Sequence, residues 1–173
     1  VTGHKIAETI INVDRRMSYT NVQRILDASA YKNSGKAIDE EDETVSVSLK
    51  TYEEYKDFAD FFVCMKELAD ILREKRTQRG SIDFDFPESK IYLDEKGIPV
   101  DIRPYERNSA TRIIEDFMLI ANETVAEDFF WQELPFVYRS HENPEPEKMM
   151  KLSLFINNFG YGIKTGSGVD GVH

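Results

Sequence analysis

The feature that most constrains the fold is a long stretch, residues 51–79, that contains neither glycine nor proline and stops at Gly80. Thr51 and Glu54 have the spacing of a helix capping box. Apolar residues then recur every three or four positions, and they are Phe58, Phe61, Phe62, Met65, Leu68, Ala69 and Leu72. The spacing predicts one amphipathic helix of about seven turns, which must bury its apolar face. Cations in the last turns oppose the negative end of the helix dipole, and they are Arg73, Lys75, Arg76 and Arg79.

Two more helices are predicted on either side of this one. A long helix covers residues 108–131, and its apolar face consists of Ile114, Phe117, Ala121, Val125 and Phe129. A short helix covers residues 20–28, where Thr20 and Gln23 form a capping-box pair and the apolar stripe consists of Val22, Ile25 and Leu26. Both patterns require a shared core on which the apolar faces meet.

The segments between and after these helices carry turn and cap signals. Residues 29–50 hold small polar residues and an acidic run at 39–43, so a mobile acidic loop is predicted there. A last helix is predicted after Asn143, with Pro144 at its first position and Gly160 at its end. Residues 160–173 then form a glycine-rich tail.

Strand-like alternation occurs in four places, residues 4–13, 81–86, 91–102 and 136–139. The third of these is predicted to be a hairpin with Gly97 in its turn. Helices and strands do not alternate regularly along the chain. The order therefore predicts the α+β class, with long amphipathic helices packed on a mixed or antiparallel sheet.

Charge and cysteine usage limit the classes of function. The single cysteine, Cys64, lies in a helical pattern and is predicted to be a buried small hydrophobe without a disulfide partner. The single cysteine indicates a reducing compartment, so a cytoplasmic protein is expected. No apolar run approaches the roughly 18 residues of a membrane span, so no membrane partner is expected. The net charge of −10 counts against autonomous binding of nucleic acid, because a phosphate backbone requires a basic surface.

Short catalytic motifs are absent from the sequence. There is no phosphate-binding loop, dinucleotide glycine motif, nucleophile elbow or zinc-ligand spacing. Asp83 and Asp85 share one face of a predicted strand and could approach a metal ion together. The alternation of the strand explains them more simply as its solvent side, so no metal site is predicted in the chain.

Several longer blocks resemble the catalytic domain of the ribonuclease II/ribonuclease R family of exoribonucleases, the RNB domain. Three of them follow one another in order, RMSYTNV at 16–22, RGSIDF at 79–84 and ATRIIEDFMLIAN at 110–122. A fourth, LPFVYR at 134–139 with His141, Glu142 and Pro144 after it, is typical of the ribonuclease R branch. The resemblance covers about residues 3–163, and it implies the fold of an RNB catalytic domain.

The resemblance also implies an activity. Such enzymes draw a single RNA strand through a channel and hydrolyse it processively from the 3′ end to nucleoside 5′-monophosphates. Clustered aspartates hold two Mg²⁺ ions there, one for the attacking water and one for the leaving oxygen. Aromatic residues stack on bases without sequence preference. Single-stranded RNA is the implied partner, and Mg²⁺ is the implied cofactor of the parent enzyme.

Three residues match RNA-binding positions of the family. Tyr19 matches a tyrosine beside the 3′-terminal nucleotides, and Glu115 matches a glutamate that contacts the terminal sugar and helps to distinguish RNA from DNA. Phe84 matches a phenylalanine that stacks on the last base, with Phe86 as the alternative. From the sequence alone, Tyr19 could instead anchor its helix, Phe84 could lie in a core, and Glu115 could be a surface carboxylate near Arg112.

The family's aspartate cluster and its oligonucleotide-binding-fold modules have no counterpart in the sequence. Residues 1–173 are therefore expected to form a single interior portion of an RNB catalytic domain, inactive alone. Its expected partners include the remaining parts of that domain and the oligonucleotide-binding-fold domains. The alternative is a non-catalytic acidic protein-interaction domain, derived from this family or unrelated to it.

Overall fold

A computed structural model describes residues 2–35, 42–84, 89–105 and 107–163. Within these ranges the chain forms five helices and one two-stranded antiparallel sheet, which confirms the α+β class. The chain divides into two compact units, Val1–Leu134 and Pro135–His173. None of the described helices combines the length and the apolar character that a bilayer span requires.

Helix α1 spans Tyr19–Asn33 and is longer than predicted at both ends. Its N-cap is Ser18, whose Oγ accepts a hydrogen bond from the Asn21 backbone N–H at 3.2 Å. The predicted capping box of Thr20 and Gln23 is therefore wrong. The side chain of Gln23 instead accepts a hydrogen bond from the Ala110 backbone N–H at 3.2 Å, which joins α1 to the start of a later helix.

Helix α2, Glu43–Glu54, occupies much of the predicted acidic loop, and α1 extends into the same segment. The predicted loop is thus wrong for residues 29–33 and 43–50, while residues 36–41 lie outside the described ranges. Small polar residues are tolerated in both helices because their hydroxyls bond to carbonyls one turn earlier. Ser29 donates to the Ile25 carbonyl at 2.8 Å and Ser48 to the Thr44 carbonyl at 2.9 Å.

Helix α3 spans Lys56–Gln78 and begins later than predicted. Thr51 does not cap it, because Thr51 lies inside α2 and its hydroxyl donates to the Val47 carbonyl at 2.9 Å. The two helices are separated by Tyr55, whose φ of −116° and ψ of 26° leave the helical region. The predicted end is confirmed: Gly80 has a φ of +97° and closes a Schellman motif, a conformation that favours glycine.

Strands β1, Ser89–Leu93, and β2, Pro99–Pro104, form the predicted hairpin. Lys90 lies directly opposite Arg103, and Ile91 lies opposite Ile102. The turn is stabilised by the Asp94 carboxylate, which accepts hydrogen bonds from the backbone N–H groups of residues 96 and 98 at 2.8 and 2.9 Å. The two faces of the hairpin therefore differ: one is polar and the other is apolar.

Helix α4 spans Ser109–Trp131, close to the predicted bounds. Asn108 and Thr111 form a complete capping box, with both side chain-to-backbone bonds at 3.0 Å. The buried residues of α4 are Ala110, Thr111, Ile113 and Asp116. The predicted buried face is therefore rotated: Ile114 and Ala121 are exposed, and the remaining three predicted positions are half-buried.

The core of the first unit lies where α1, α3 and α4 meet. Its buried apolar residues are Ile25, Leu26, Ala59, Phe62, Ala69 and Ile113. Only part of the predicted stripe on α3 contributes, because Phe61 and Leu68 are exposed on another side of the helix. Cys64 is also exposed, so its prediction as a buried hydrophobe is wrong.

Three of the predicted strands are not found in the described residues. Residues 4–13 and 136–139 have no regular secondary structure, and neither do residues 81–84. Residues 85 and 86 lie outside the described ranges. A strand requires a partner for its backbone groups, and alternation along the sequence does not supply one. Ile10, for example, is fully exposed.

The second unit contains helix α5, Pro146–Asn157. It starts two residues later than predicted, with Glu145 as N-cap and Pro146 in the first turn, so Pro144 does not open it. Its predicted end is confirmed, because Gly160 has a φ of +81° and the Tyr161 N–H bonds back to the Ile156 carbonyl at 3.2 Å. Residues 164–173 of the predicted glycine-rich tail lie outside the described ranges.

Candidate nucleic-acid interface

A cleft in the first unit lies between the hairpin and the N-terminal ends of α1 and α4. Its volume is about 480 Å³, and it is lined by Tyr19, Thr20, Lys90, Tyr92, Arg103, Pro104, Tyr105, Asn108 and Thr111. The helix ends are fixed there by their caps and by the hydrogen bond from the Ala110 N–H to Gln23. Tyr19 lies in the first turn of α1 and is 47% exposed, so its ring is accessible from the cleft side of the helix.

The hairpin contributes the charge of this cleft. The Lys90 ammonium lies 5.2 Å from the centre of the Tyr92 ring, and the Arg103 guanidinium lies 5.3 Å from the same ring. None of the described lining residues carries a carboxylate. Asp101, which lies opposite Tyr92, pairs with Arg103, so this wall of the cleft carries a small positive excess in a chain of net charge −10. Cations interleaved with aromatic rings are the combination that binds single-stranded nucleic acid.

Glu115 lies outside the cleft, in an ion-pair group with Arg107 and Asp83. The Arg107 Nη2 donates to Glu115 Oε2 at 2.8 Å, and its Nη1 donates to Asp83 Oδ1 at 3.1 Å. The hydrogen bond from Arg107 holds the pKa of Asp83 below its usual value, against a smaller effect of desolvation. The hydrogen bond to Glu115 raises the pKa of Arg107 above its ordinary value. Asp83 and Arg107 are therefore both charged near neutral pH.

Phe84 follows Asp83 directly and is 65% exposed, so it does not lie in the core. Through Asp83 and Arg107 its backbone is connected to Glu115. The structure thus places Phe84 and Glu115 in one neighbourhood and Tyr19 in the cleft. Tyr19 and Ile114 do line one smaller cavity of about 130 Å³, which puts Tyr19 near the α4 turn that carries Glu115.

The predicted cations at the end of α3 have a second role. Asp116 is completely buried, and the Arg73 Nη2 donates to its Oδ2 at 2.5 Å. The Arg76 Nη2 lies 2.8 Å from the other carboxylate oxygen, close enough for an ion pair but without hydrogen-bond alignment. Further along, Arg79 pairs with Glu123 at 2.8 Å. These pairs join α3 to α4 and fix the helix that carries Glu115.

The described residues do not fit a metal centre. Among them no group of three or more histidines, cysteines, aspartates or glutamates lies close enough to hold an ion. Asp83 already pairs with Arg107, and Asp116 with Arg73 and Arg76. Asp85, the second member of the predicted aspartate pair, lies outside the described residues. No chemical step through a metal can be derived from this part of the chain.

The sequence did not single out the hairpin residues of the cleft. Lys90 and Tyr92 lie on β1, whereas Arg103 lies on β2 beyond the turn, and its proximity to them depends on the pairing register. The alternation of Lys90 and Tyr92 with apolar neighbours was the signal that could have found them. A basic and an aromatic residue on the polar face of a hairpin mark a candidate nucleic-acid surface.

A family model of the RNB domain matches residues 1–166 of the chain. The chain belongs to the RNB domain family. This RNB chain is 39% identical over 173 residues to Ribonuclease R 1 of Lactococcus lactis subsp. lactis (strain IL1403), a match that covers 98% of the chain and 19% of that protein. It is also 39% identical over 165 residues to Ribonuclease R of Thermotoga maritima, covering 95% of the chain and 20% of that protein.

Solved structures agree with this assignment. The RNB chain matches Mycoplasma genitalium RNase R in complex with ribose methylated single-stranded RNA, with a TM-score of 0.51 and 27% identity, over 86% of the chain and 21% of that protein. The apo form of the same RNase R matches with a TM-score of 0.50 over 79% of the chain and 19% of that protein. The RNB chain thus spans about a fifth of the length of its ribonuclease R relatives.

Proposed function

We propose that this RNB chain is part of a processive 3′→5′ exoribonuclease that hydrolyses single-stranded RNA to nucleoside 5′-monophosphates. The match to the RNB domain over residues 1–166 supports the reaction class, as do relatives named ribonuclease R at 39% identity. The similar RNase R of Mycoplasma genitalium is in complex with single-stranded RNA, which supports the substrate. The remaining parts of the catalytic domain and oligonucleotide-binding-fold domains are proposed to belong to the same parent protein.

The observation that carries this proposal is the position of Tyr19. The residue matched to an RNA-binding tyrosine from sequence lies in a cleft with two cations and two further tyrosines. The described lining of that cleft has no carboxylate, although the chain as a whole is strongly acidic. The competing role for Tyr19 was to anchor the start of its helix. Tyr19 does lie in the first turn of α1, and with 47% of the residue exposed its ring is also available to a ligand.

The metal chemistry is assigned to other parts of the parent. Two Mg²⁺ ions would supply the activated water and stabilise the leaving oxygen in such a reaction. Near the matched positions, the described carboxylates of Asp83, Glu115 and Asp116 each form an ion pair with an arginine. They do not form a metal-binding cluster. The role proposed for this chain is to bind and orient the RNA strand, with Phe84 and Tyr19 contacting bases and Glu115 contacting the terminal sugar.

In the full-length parent, Tyr19→Ala should make the enzyme release RNA earlier and leave a longer final fragment. Loss of one stacking partner costs about 1–3 kcal/mol per base, which matters most when few nucleotides remain bound. The end product of a 5′-labelled oligonucleotide is measured on a sequencing gel, with Phe84→Ala expected to act in the same direction. Tyr31→Ala is the control, since Tyr31 lies at the other end of α1 and is 41% exposed. An unchanged end product for Tyr19→Ala would remove this residue from the RNA site.

In the same parent, Glu115→Ala should narrow the preference for RNA over DNA. A carboxylate accepts a hydrogen bond from the 2′-hydroxyl, and DNA has no such group. The ratio of degradation rates on matched RNA and DNA strands measures the effect. Glu123→Ala on the same helix is the control, because it removes an exposed carboxylate that is likewise paired with an arginine. Full sugar discrimination in Glu115→Ala would contradict the assigned role.

A further inference from the structure

The polar face of the hairpin is built around one aromatic ring. Lys90 and Arg103 are direct cross-strand partners, so their side chains leave the sheet on the same side. Both cations approach the ring of Tyr92, at 5.2 and 5.3 Å from its centre. A ring within about 6 Å of a cation attracts it through the negative face of its π-system. Tyr92 therefore holds two positive charges close together.

A carboxylate further restrains one of these cations. The Arg103 Nε donates to Asp101 Oδ2 at 2.5 Å, and Asp101 lies opposite Tyr92 in the register. This contact uses the Nε–H group, whereas the terminal N–H groups of a guanidinium form the fork that grips a phosphate. Lys90 supplies a compact charge beside it. The pair offers one fork and one point charge to the same anion.

The surroundings of the pair favour a nucleotide strand. The cleft of about 480 Å³ has the size of a small-molecule site, and three tyrosines line it. Two of them, Tyr19 and Tyr105, are 47% and 42% exposed, so their rings are accessible to a ligand. Charge alone would also suit an acidic protein segment. Exposed aromatic rings beside the cations favour a ligand that alternates phosphates with flat bases.

We propose that Lys90 and Arg103 form a phosphate clamp for single-stranded RNA, with Tyr92 as the residue that positions both cations. The clamp holds a backbone phosphate next to the nucleotide that contacts Tyr19. This inference rests on the proposed function, since it assigns to the hairpin a part of the RNA path. It adds a second RNA-binding element, which consists of residues other than Tyr19, Phe84 and Glu115.

The test uses the full-length protein and measures the binding of fluorescent single-stranded oligouridine by anisotropy at several salt concentrations. Lys90→Ala/Arg103→Ala should weaken binding roughly tenfold, because charge-assisted hydrogen bonds to phosphate are removed. The slope of log affinity against log salt should become shallower by about 0.7 for each phosphate that the protein ceases to neutralise. Lys96→Ala, in the turn of the same hairpin, should change neither quantity.

Variants of Tyr92 test whether this residue positions the two cations or only supports the fold of the hairpin. Tyr92→Phe keeps the ring face and should retain the affinity and the salt slope. Tyr92→Leu removes the ring and should lower both, although no charge has been removed. Circular dichroism checks the fold of each variant, and Lys90→Gln serves as a milder variant if the double variant does not fold. A Tyr92→Leu protein with wild-type affinity and slope would overturn the positioning role.

The outcomes also separate this inference from the proposed function. If the wild type degrades RNA and Lys90→Ala/Arg103→Ala binds it with unchanged affinity and slope, the clamp is wrong while the proposed function stands. If the substitutions abolish binding of a polyglutamate peptide but not of RNA, the cleft is a protein-binding site and the clamp is again wrong. If the wild type neither binds nor degrades single-stranded RNA, both proposals fail.

Discussion

Replacing Asp116 by alanine should lower the free energy of unfolding of this chain by about 3–5 kcal/mol. Asp116 is completely buried, while the side chains of Arg73 and Arg76 that pair with it are only 22% and 20% exposed. Removing the carboxylate leaves two largely buried guanidinium groups without their counter-charge. Because small domains are stable by only about 5–15 kcal/mol, the loss would take a large part of the total.

Urea unfolding followed by circular dichroism measures this effect, with the midpoint and slope fitted for each variant. Asp116→Asn should also be destabilised, since an amide has nearly the same size but no charge. Glu123→Ala is the matched control: Glu123 pairs with Arg79 at 2.8 Å on the exposed side of the same two helices. An exposed pair contributes about 0–1 kcal/mol. If Asp116→Ala were no more destabilising than Glu123→Ala, the buried pair would not be what joins α3 to α4.

The glycine-terminated helix ends were predictable from sequence, whereas most helix starts were not: the predicted caps of α1, α3 and α5 were all wrong. The capping box at Asn108 starts α4 within one residue of the predicted bound, and Gly80 and Gly160 end their helices through left-handed backbone conformations. The start of α3 was not predictable in this way. The helical pattern continues across Tyr55, and the break there depends on backbone angles that no residue in the motif dictates.

The strands and the buried helix faces were harder to predict, because they depend on tertiary contacts that the sequence does not show. The hairpin was predicted because its partner strands are joined by one turn. The segment 4–13 alternates as well as β1 does, but it has no regular pairing in the described structure. On α4, Asp116 is buried because it pairs with arginines of α3. The buried face of α4 therefore contains Asp116, and Ile114 is exposed. The hydrophobic pattern predicts only apolar residues at core positions, so it could not indicate that the charged Asp116 is buried.

The candidate site was predictable in part. Tyr19 was found through the family resemblance, and the structure places it in a cleft suited to a nucleotide. Lys90, Tyr92 and Arg103 were missed, because their proximity arises from strand register rather than from sequence spacing. For Glu115, the sequence suggested Arg112 as a neighbour, whereas the ion pair is formed with Arg107. The roles of Tyr19, Phe84 and Glu115 toward RNA stay predictions.

Residues 1–173 on their own should not catalyse the hydrolysis of RNA. The described residues contain no group of carboxylates and histidines that could hold a metal ion, and the chain spans about a fifth of the length of its ribonuclease R relatives. A reaction that uses two metal ions requires such a group. We therefore expect residues 1–173 with Mg²⁺ or Mn²⁺ to leave single-stranded RNA intact, whereas the full-length parent degrades it completely. A chelator added to the parent is the control for metal dependence.

A side-by-side assay shows whether residues 1–173 belong to an exoribonuclease whose catalytic residues lie in other parts of the parent protein. A 5′-labelled single-stranded RNA is incubated with Mg²⁺ and either the full-length parent or the isolated chain, and the products are resolved by length and by chromatography of mononucleotides. We expect progressive shortening from the 3′ end and release of nucleoside 5′-monophosphates by the parent, with no cleavage by the isolated chain. Absence of 3′ shortening by the parent, or chelator-sensitive release of mononucleotides by the isolated chain, would contradict this expectation.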